Sequence, residues 1–401
     1  MEFLKLAAVF GVIVAMLSVR RPLYQAVLAG LLAAAVLYGL GIGTMASCAM
    51  RVFTEESDLA VLLSLYLITL LQRILEARGQ LRLAQQDLDR LFHNRRVNAL
   101  GAPLFIGLLP SAAAMLLCAG IVKDASDGYL PPKQQAFVTT WFRHIPESTL
   151  PTYAGVLLMA GLSGVPLPSF MAGMAAPMTM LAFLGYWPYL RKLPRDPGTA
   201  VSRDRMRDGF RLLWHTWPLL FILVLILGFG FGVVEAILCA VAASAAAHRV
   251  RADELIHLTR SAVEKVLLLN TFLVLVLKEC IGEVRVLEAL PAALGQLPLP
   301  EWTVFALLFF LGSIVAGTVG VIAMGTPLAF SVYPGDMPLM VLLMGMCHAA
   351  SQISPIHVCL VVASDFYHVP LGTLIRQTVP FSLLFCLLMV LYYLALKAAG
   401  L

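Results

Sequence analysis

Long apolar runs alternate with short polar segments along the whole of this chain of 401 residues. Most of these runs approach the ~20 residues that a helix needs to cross a bilayer. The pattern therefore predicts an all-α polytopic membrane protein. Its spanning helices are predicted over residues 3–18, 22–41, 59–75 and 168–190, and then over 212–229, 231–247, 262–279 and 370–396. The charged stretches 42–58 and 248–260 between them are predicted as loops.

Two further apolar runs are interrupted by polar segments that contain or adjoin proline. In the run 134–163 the interruption is 146–149 (Pro-Glu-Ser-Thr), and in 337–363 it is 351–354 (Ser-Gln-Ile-Ser). Each run is therefore predicted to be a broken helix. Irregular backbone at membrane depth is tolerated only where protein or a water-filled cavity satisfies it. Broken helices in corresponding halves of a membrane protein are a pointer to a transporter's binding site.

The two broken helices belong to a repeat that covers the chain. Counted from His144 and from His348, the next two prolines fall at the same spacing. The segments around them follow in the same order in both halves. We therefore predict a first repeat at 1–190, a charged cytoplasmic linker at 191–211 and a second repeat at 212–401.

Each repeat also contains a predicted re-entrant hairpin and an amphipathic segment. The segment 76–96 has leucines at helical spacing on one face and charges on the other, which predicts an arm helix lying on the membrane surface. A shorter amphipathic segment spans 283–297. The runs 98–122 and 302–325 are predicted hairpins, because glycine, proline and hydroxyl residues interrupt them near their middles.

Composition supports the membrane assignment. Hydrophobic residues make up 60% of the chain, charged residues only 13%, and the mean hydropathy is +0.88. A soluble domain is nearer half apolar and about a quarter charged. The seven cysteines are scattered, so they predict neither a disulfide framework nor a metal centre. Nothing in the pattern indicates nucleic acid as a partner or a bound cofactor; membrane lipid is the expected surrounding.

The basic residues predict the orientation. Most of the 28 Lys and Arg residues fall in segments that the helix order places on one side, which the positive-inside rule assigns to the cytoplasm. Each half then has five crossings and one re-entrant hairpin. An odd number of crossings inverts the second half relative to the first. We therefore expect a prokaryotic cytoplasmic-membrane protein with both termini outside.

The polar residues of the breaks are the candidates for binding a solute. Thr149 and Ser354 precede the resumed helices and are predicted N-caps, so each half-helix would direct free N–H groups and a partial positive charge at its break. Together with the hairpin tips they give the predicted substrate-binding set, which is Ser111, Ser148, Thr149, Gly317, Thr318, Ser351, Gln352 and Ser354.

Glu147 is the only carboxylate in either break, and Arg143 lies four residues before it. In a cavity of low dielectric constant Glu147 can carry a coupling proton or meet a coupling cation. Arg143 can bind a substrate carboxylate in a bidentate way. The alternative is a structural ion pair between the two on one helix face. For His144 and His348, a helix contact is favoured over a proton relay.

With the inverted halves, the hairpin after an arm helix and the proline-marked breaks at 146–151 and 351–355, the chain resembles the ion transporter superfamily. This group includes gluconate, dicarboxylate, citrate and lactate permeases. Within it, the chain is similar to an uncharacterised prokaryotic family of about this length. The resemblance implies a homodimer with an arm-helix scaffold and an elevator-like moving unit. The tips lack the Ser-Asn-Thr signature of carboxylate-binding relatives.

The expected function is secondary transport of a small anionic solute, an organic carboxylate, coupled to H⁺ or Na⁺. No His-Glu-x-x-His, paired-Asp or Ser/His arrangement of an intramembrane hydrolase occurs at recognisable spacing, so the chain is not expected to be an enzyme. A channel or a membrane-embedded enzyme remains the alternative. Slow, saturable flux would indicate a transporter, and product formation an enzyme.

Overall fold

The computed structural model describes residues 2–19, 21–80, 83–84, 87, 94–107, 113–196, 204–284 and 298–401, and no strand occurs among them. In the first half the α-helices are α1 (Glu2–Ser18), α2 (Leu23–Tyr38), α3 (Ile42–Thr54), α4 (Glu56–Ala77), α5 (Arg95–Ile106), α6 (Ala113–Ser126), α7 (Pro132–His144), α8 (Ala154–Ser163), α9 (Leu167–Gly173) and α10 (Ala175–Tyr186). In the second half they are α11 (Arg205–Phe229), α12 (Val233–Ala247), α13 (Ala252–Ser261), α14 (Lys265–Glu283), α15 (Glu301–Ala316), α16 (Thr318–Val332), α17 (Met337–Ser351), α18 (Val358–Phe366) and α19 (Leu371–Ala398). The predicted all-α membrane fold is confirmed.

Helix ends follow local capping chemistry. The side chain of Asp204 accepts a hydrogen bond from Arg207 N at the start of α11, and Asp336 accepts from Leu339 N at the start of α17. Gly230 ends α11 at φ +69, in the left-handed region where glycine has no Cβ penalty.

Two segments predicted as loops are helical. Residues 42–54 form α3, and most of 248–260 belongs to α13. Both helices are amphipathic: α3 buries Cys48 and Val52 while it exposes Met50 and Phe53. The charges that favoured a loop at 42–58 follow α3, at Glu55, Glu56 and Asp58. In α13 the charged residues lie away from the buried Leu258, which a short interfacial helix accommodates. Helix α11, which Asp204 caps, also begins at Arg205, seven residues before the expected start at 212.

Several predicted segments fall outside the described residues. They include residues 81–82, 85–86 and 88–93 of the amphipathic arm 76–96, residues 285–297 of the amphipathic segment 283–297, part of the linker, and the first hairpin tip with Pro110 and Ser111. Of the arm, residues 76–80, 83, 84, 87 and 94–96 are described, and most of them are helical.

Some described helices are long enough to span a bilayer and others are not. The helices that combine sufficient length and apolar composition are Glu56–Ala77, Leu167–Tyr186, Met206–Phe229 and Leu371–Ala398. By contrast, α5 and α6 have 12 and 14 residues. At 1.5 Å per residue each is about 20 Å long, less than the ~30 Å hydrocarbon core. Their lengths fit a hairpin that enters the membrane without crossing it.

The helices that precede the two breaks form the centre of the protein. In α7 every residue from Gln135 to His144 is buried, and in α17 every residue from Pro338 to Ser351 is buried. The halves pack against each other around them: α2 contacts α14, α12 contacts α4, and α8 contacts α16.

A buried ion pair connects α4 to α14. Lys278 Nζ lies 2.6 Å from Asp58 Oδ1, and the Asp58 side chain is only 1% exposed. Lys278 lies in α14, and its ammonium group points towards the protein, where it neutralises the carboxylate. A buried carboxylate without this partner would be strongly unfavourable.

We predict that Lys278→Met lowers the free energy of unfolding by about 3–5 kcal/mol, because it leaves the charge of Asp58 buried. Arg251→Met is the matched control, since it removes an ion pair whose Arg251 side chain is 79% exposed, a type that contributes about 0–1 kcal/mol. Unfolding of both variants in detergent measures the difference. Equal stability of the two would contradict a structural role for the Asp58–Lys278 pair.

Candidate functional site: a cavity between two broken helices

Proline terminates helical hydrogen bonding at both breaks. Pro146 has no N–H to donate to the carbonyl four residues earlier, and α7 ends at His144. Residues 146–148 then form one 3₁₀ turn. Pro355 has the same effect after α17, and Ser354 N donates instead to Ser351 O at 3.4 Å. Tight turns therefore satisfy part of the backbone in each break.

The resumed helices begin later than predicted, so Thr149 and Ser354 are not N-caps. Helix α8 starts at Ala154 and α18 at Val358. Further turns separate each hydroxyl residue from its helix. Thr149 Oγ1 donates to Ile145 O at 3.4 Å, which is a long contact, and Ser354 Oγ donates to Ile314 O at 2.9 Å.

Each hairpin packs against the break in its own half. The hydroxyl of Tyr153 donates to Gly107 O at the end of α5, 2.5 Å away. A Cβ on Gly107 would lie 2.4 Å from Arg143 O, so only glycine allows this approach. In the second half, the bond from Ser354 to Ile314 O and that from Ser313 Oγ to Cys347 Sγ at 3.3 Å join α15 to the break and to α17.

A cavity of about 120 Å³ lies between the first break, the second hairpin and α17. Both halves of the chain therefore contribute to its wall. The lining residues are His144, Glu147, Ser148, Tyr153, Ala154, Gly155, Thr318, Val319, Met344, His348 and Ser351.

The cavity collects part of the predicted binding set. Four of the predicted site residues line it, namely Glu147, Ser148, Thr318 and Ser351. The other described residues of the predicted set are not among the lining residues, and these are Arg143, Thr149, Gly317, Gln352 and Ser354. Ser111 lies outside the described residues.

Arg143 and Glu147 form the ion pair that the sequence offered as an alternative. Arg143 Nη1 lies 3.1 Å from Glu147 Oε2. Arg143 is 3% exposed, whereas Glu147 is 36% exposed and forms part of the cavity wall. The guanidinium is thus buried behind the cavity wall and does not line the cavity. The carboxylate of Glu147 is the charged group that a solute in the cavity would contact.

Histidines connect the two breaks, although the sequence analysis expected only helix contacts for His144 and His348. His348 Nδ1 lies 3.0 Å from Ser148 Oγ, so the second half contacts the first break directly. His144 Nε2 lies 2.9 Å from His357 Nε2. Both His144 and His348 line the cavity. The sequence did mark His144 and His348, because each lies at the same distance before two prolines of its half. His357 had no histidine counterpart in the first half.

Two helix N-termini lie at the cavity. Ala154 and Gly155 belong to the first turn of α8, and Thr318 and Val319 to the first turn of α16. The first N–H groups of a helix have no intrahelical partner and carry a partial positive charge. From the sequence, the N-termini expected at the breaks were those of the two resumed helices, α8 and α18. The structure places α16 at the cavity instead, because the second hairpin reaches the first break.

Comparison with known proteins identifies the family and the fold. The model of the family described as "Protein of unknown function (DUF401)" matches residues 3–396, and the chain belongs to this family. The crystal structure of the YdaH transporter of Alcanivorax borkumensis is similar with a TM-score of 0.61 and 14% identity, over 89% of this chain and 88% of that one. At this identity the likeness shows a shared fold. No curated protein sequence matches the chain.

We predict that Gly107→Ala weakens the contact between the first hairpin and its break. The new Cβ overlaps the Arg143 carbonyl, and such overpacking costs roughly 1–3 kcal/mol. Gly120→Ala is the matched control, since a Cβ at Gly120 of α6 meets nothing within 4 Å. Thermal unfolding of both variants in detergent provides the comparison. A Gly107→Ala protein as stable as the control would disprove the close contact.

Proposed function

We propose that this member of the DUF401 family is a secondary transporter that carries a small anionic solute, an organic carboxylate, across the prokaryotic cytoplasmic membrane. The observation that carries the proposal is a small cavity with several polar side chains in its wall, built from a broken helix of one half and a hairpin and helix of the other. Such an arrangement places a solute where relative movement of the halves can expose it to either side. The fold shared with the YdaH transporter supports the same class.

The cavity wall favours an anion. The N-termini of α8 and α16 each contribute on the order of 0.3–1 kcal/mol towards a negative charge, and up to ~2 kcal/mol in a partly buried geometry. The hydroxyl residues Ser148, Thr318 and Ser351 line the same space. The hydroxyls of Ser148 and Ser351 donate to Ile145 O and His348 O in this structure, and each would have to rotate to donate to a solute.

Glu147 opposes an anion unless its charge is neutralised. Arg143 provides this neutralisation through the 3.1 Å ion pair. A coupling proton, or a sodium ion bound with the solute, would neutralise it further. Because Glu147 both faces the cavity and pairs with Arg143, it is the residue best placed to link solute binding to an ion gradient. Binding of the solute should therefore tighten as the pH falls, or as the coupling cation increases.

The size of the cavity limits the range of solutes that it can hold. A volume of about 120 Å³ corresponds to about four water molecules at ~30 Å³ each. Pockets for drug-sized ligands are larger, at about 300–1,000 Å³. We therefore favour a short monocarboxylate over a sugar, a nucleotide or a long dicarboxylate.

The packing of the halves supports an inverted repeat. Helix α2 of the first half contacts α14, and the corresponding α12 of the second half contacts α4. This exchange is expected when two similar halves are related by a two-fold axis, and the odd number of crossings predicted for each half would put that axis in the membrane plane. Ion pairs join Arg51 to Glu283 and Arg78 to Glu254, and each pair connects segments that the charge pattern assigns to the same side. An elevator-like movement within a homodimer, with both termini extracytoplasmic, completes the proposal.

Reconstituted vesicles test solute binding in the cavity. We expect slow, saturable uptake of a short carboxylate, inhibited by other short carboxylates and not by amines or neutral sugars. Val319→Trp fills the cavity and should abolish uptake. Val315→Trp is the control, since Val315 belongs to α15 of the same hairpin and is exposed outside the lining. Inhibition by amines or sugars alone would contradict an anionic solute. Equal uptake by the two tryptophan variants would contradict the cavity as the binding site.

Glu147→Gln tests the coupling role. The substitution keeps the shape of the side chain and removes its charge. We expect accumulation against a gradient to be lost and its pH dependence to disappear, while exchange of solute between the two sides continues. Asp365→Asn, at an exposed position beyond the breaks, serves as the control. A Glu147→Gln protein that concentrates solute with the normal pH dependence would remove Glu147 from the mechanism.

A further inference from the structure

Three side chains with metal-binding atoms meet where the first break faces the second. His144 ends α7, His357 precedes α18, and Cys359 lies in the first turn of α18. One ligand atom of each lies within 4.8 Å of the others, and the His144 and His357 Nε2 atoms are 2.9 Å apart. His144 is buried, and the other two are partly buried. These residues come from both halves, which is why the cysteine spacing in the sequence gave no sign of them.

The spacing of the three atoms is close to that of a tetrahedral metal site. With Zn–N distances of about 2.0–2.1 Å and Zn–S of about 2.3 Å, ligand atoms in such a site are separated by roughly 3.3–3.6 Å. The two Nε2 atoms would need to separate by a few tenths of an ångström, and the thiol would need to approach. Changes of χ angles in partly buried side chains can supply movements of this size.

We propose that His144, His357 and Cys359 form a binding site for a transition-metal cation of the zinc class. Imidazole nitrogen and thiolate sulfur are borderline to soft ligands, so they select zinc or a similar transition metal over sodium, magnesium or calcium. The cysteine thiol releases its proton when the metal binds. The bound cation would connect the end of α7 to the start of α18 and so hold the two breaks together.

Glu147 can complete the site as a fourth ligand. Its Oε2 lies 3.8 Å from His144 Nε2, which is within reach of the same cation after a small rotation. Three firm ligands and one exchangeable position are typical of sites that are open to a further ligand. The facing charge of Arg143 opposes a cation, but Arg143 is paired with Glu147. Counted together with Arg143, the thiolate and Glu147 would balance one of the two charges of a divalent ion.

Cobalt and zinc binding to the purified full-length protein test the site. Co²⁺ that is coordinated by thiolate gives a ligand-to-metal charge-transfer band, and tetrahedral Co²⁺ gives strong visible absorption. We expect both in the wild-type protein, with one equivalent of Zn²⁺ abolishing them and excess Mg²⁺ leaving them unchanged. Cys359→Ser should remove the charge-transfer band, and Cys359→Ser or His357→Gln should raise the Kd for Zn²⁺ by at least about tenfold.

The control is the double variant Cys239→Ser with His257→Gln, which removes an exposed thiol and an exposed imidazole elsewhere. It should retain the wild-type Kd and spectrum. Absence of the charge-transfer band from the wild-type protein would overturn the site without recourse to any variant. Persistence of the band in Cys359→Ser, or its loss in the control, would also overturn it. These measurements use no carboxylate, so their outcome does not depend on whether the protein transports one.

Discussion

Backbone that leaves the helical conformation inside a membrane has to find its hydrogen-bond partners within the protein. This requirement governs both breaks of the chain. The turns at 146–150 and 351–354 satisfy some backbone groups of the breaks locally. Side chains of the breaks in turn satisfy carbonyl groups of the hairpins: the Tyr153 hydroxyl donates to Gly107 O, and Ser354 Oγ donates to Ile314 O. The hairpins are therefore the structural partners of the broken helices, and neither is expected to hold its conformation alone.

The same arrangement creates a cavity with mixed electrostatics. Two helix N-termini and several hydroxyls favour negative charge, while Glu147 carries a negative charge of its own. Arg143 reconciles the two, because it lies behind the wall and neutralises the carboxylate without occupying the space. A change in the protonation or ion pairing of Glu147 alters the balance. In the proposed mechanism, this balance at Glu147 links the affinity of the cavity for an anion to an ion gradient.

The sequence predicted the parts of this structure that have local signals. Proline and polar residues inside apolar runs located both breaks, and helix-length apolar runs gave the membrane fold. The positions of the resumed helices were wrong because Thr149 and Ser354 were assumed to cap directly, whereas several turn residues follow each. Helix α3 was missed because charges near its end were interpreted as a loop signal. Contacts between distant segments had no local signal at all, as the Asp58–Lys278 pair and the meeting of His144 with His357 show.

The central claim is that one solute is held between the N-termini of α8 and α16. The most direct measurement is a crystal structure with a selenium-containing short carboxylate, such as (methylseleno)acetate, in which anomalous scattering locates the selenium atom. The account predicts one peak inside the cavity lined by Glu147, Thr318 and Ser351, with the carboxylate towards the two helix N-termini. A peak at another place in a protein that binds the compound would contradict the account.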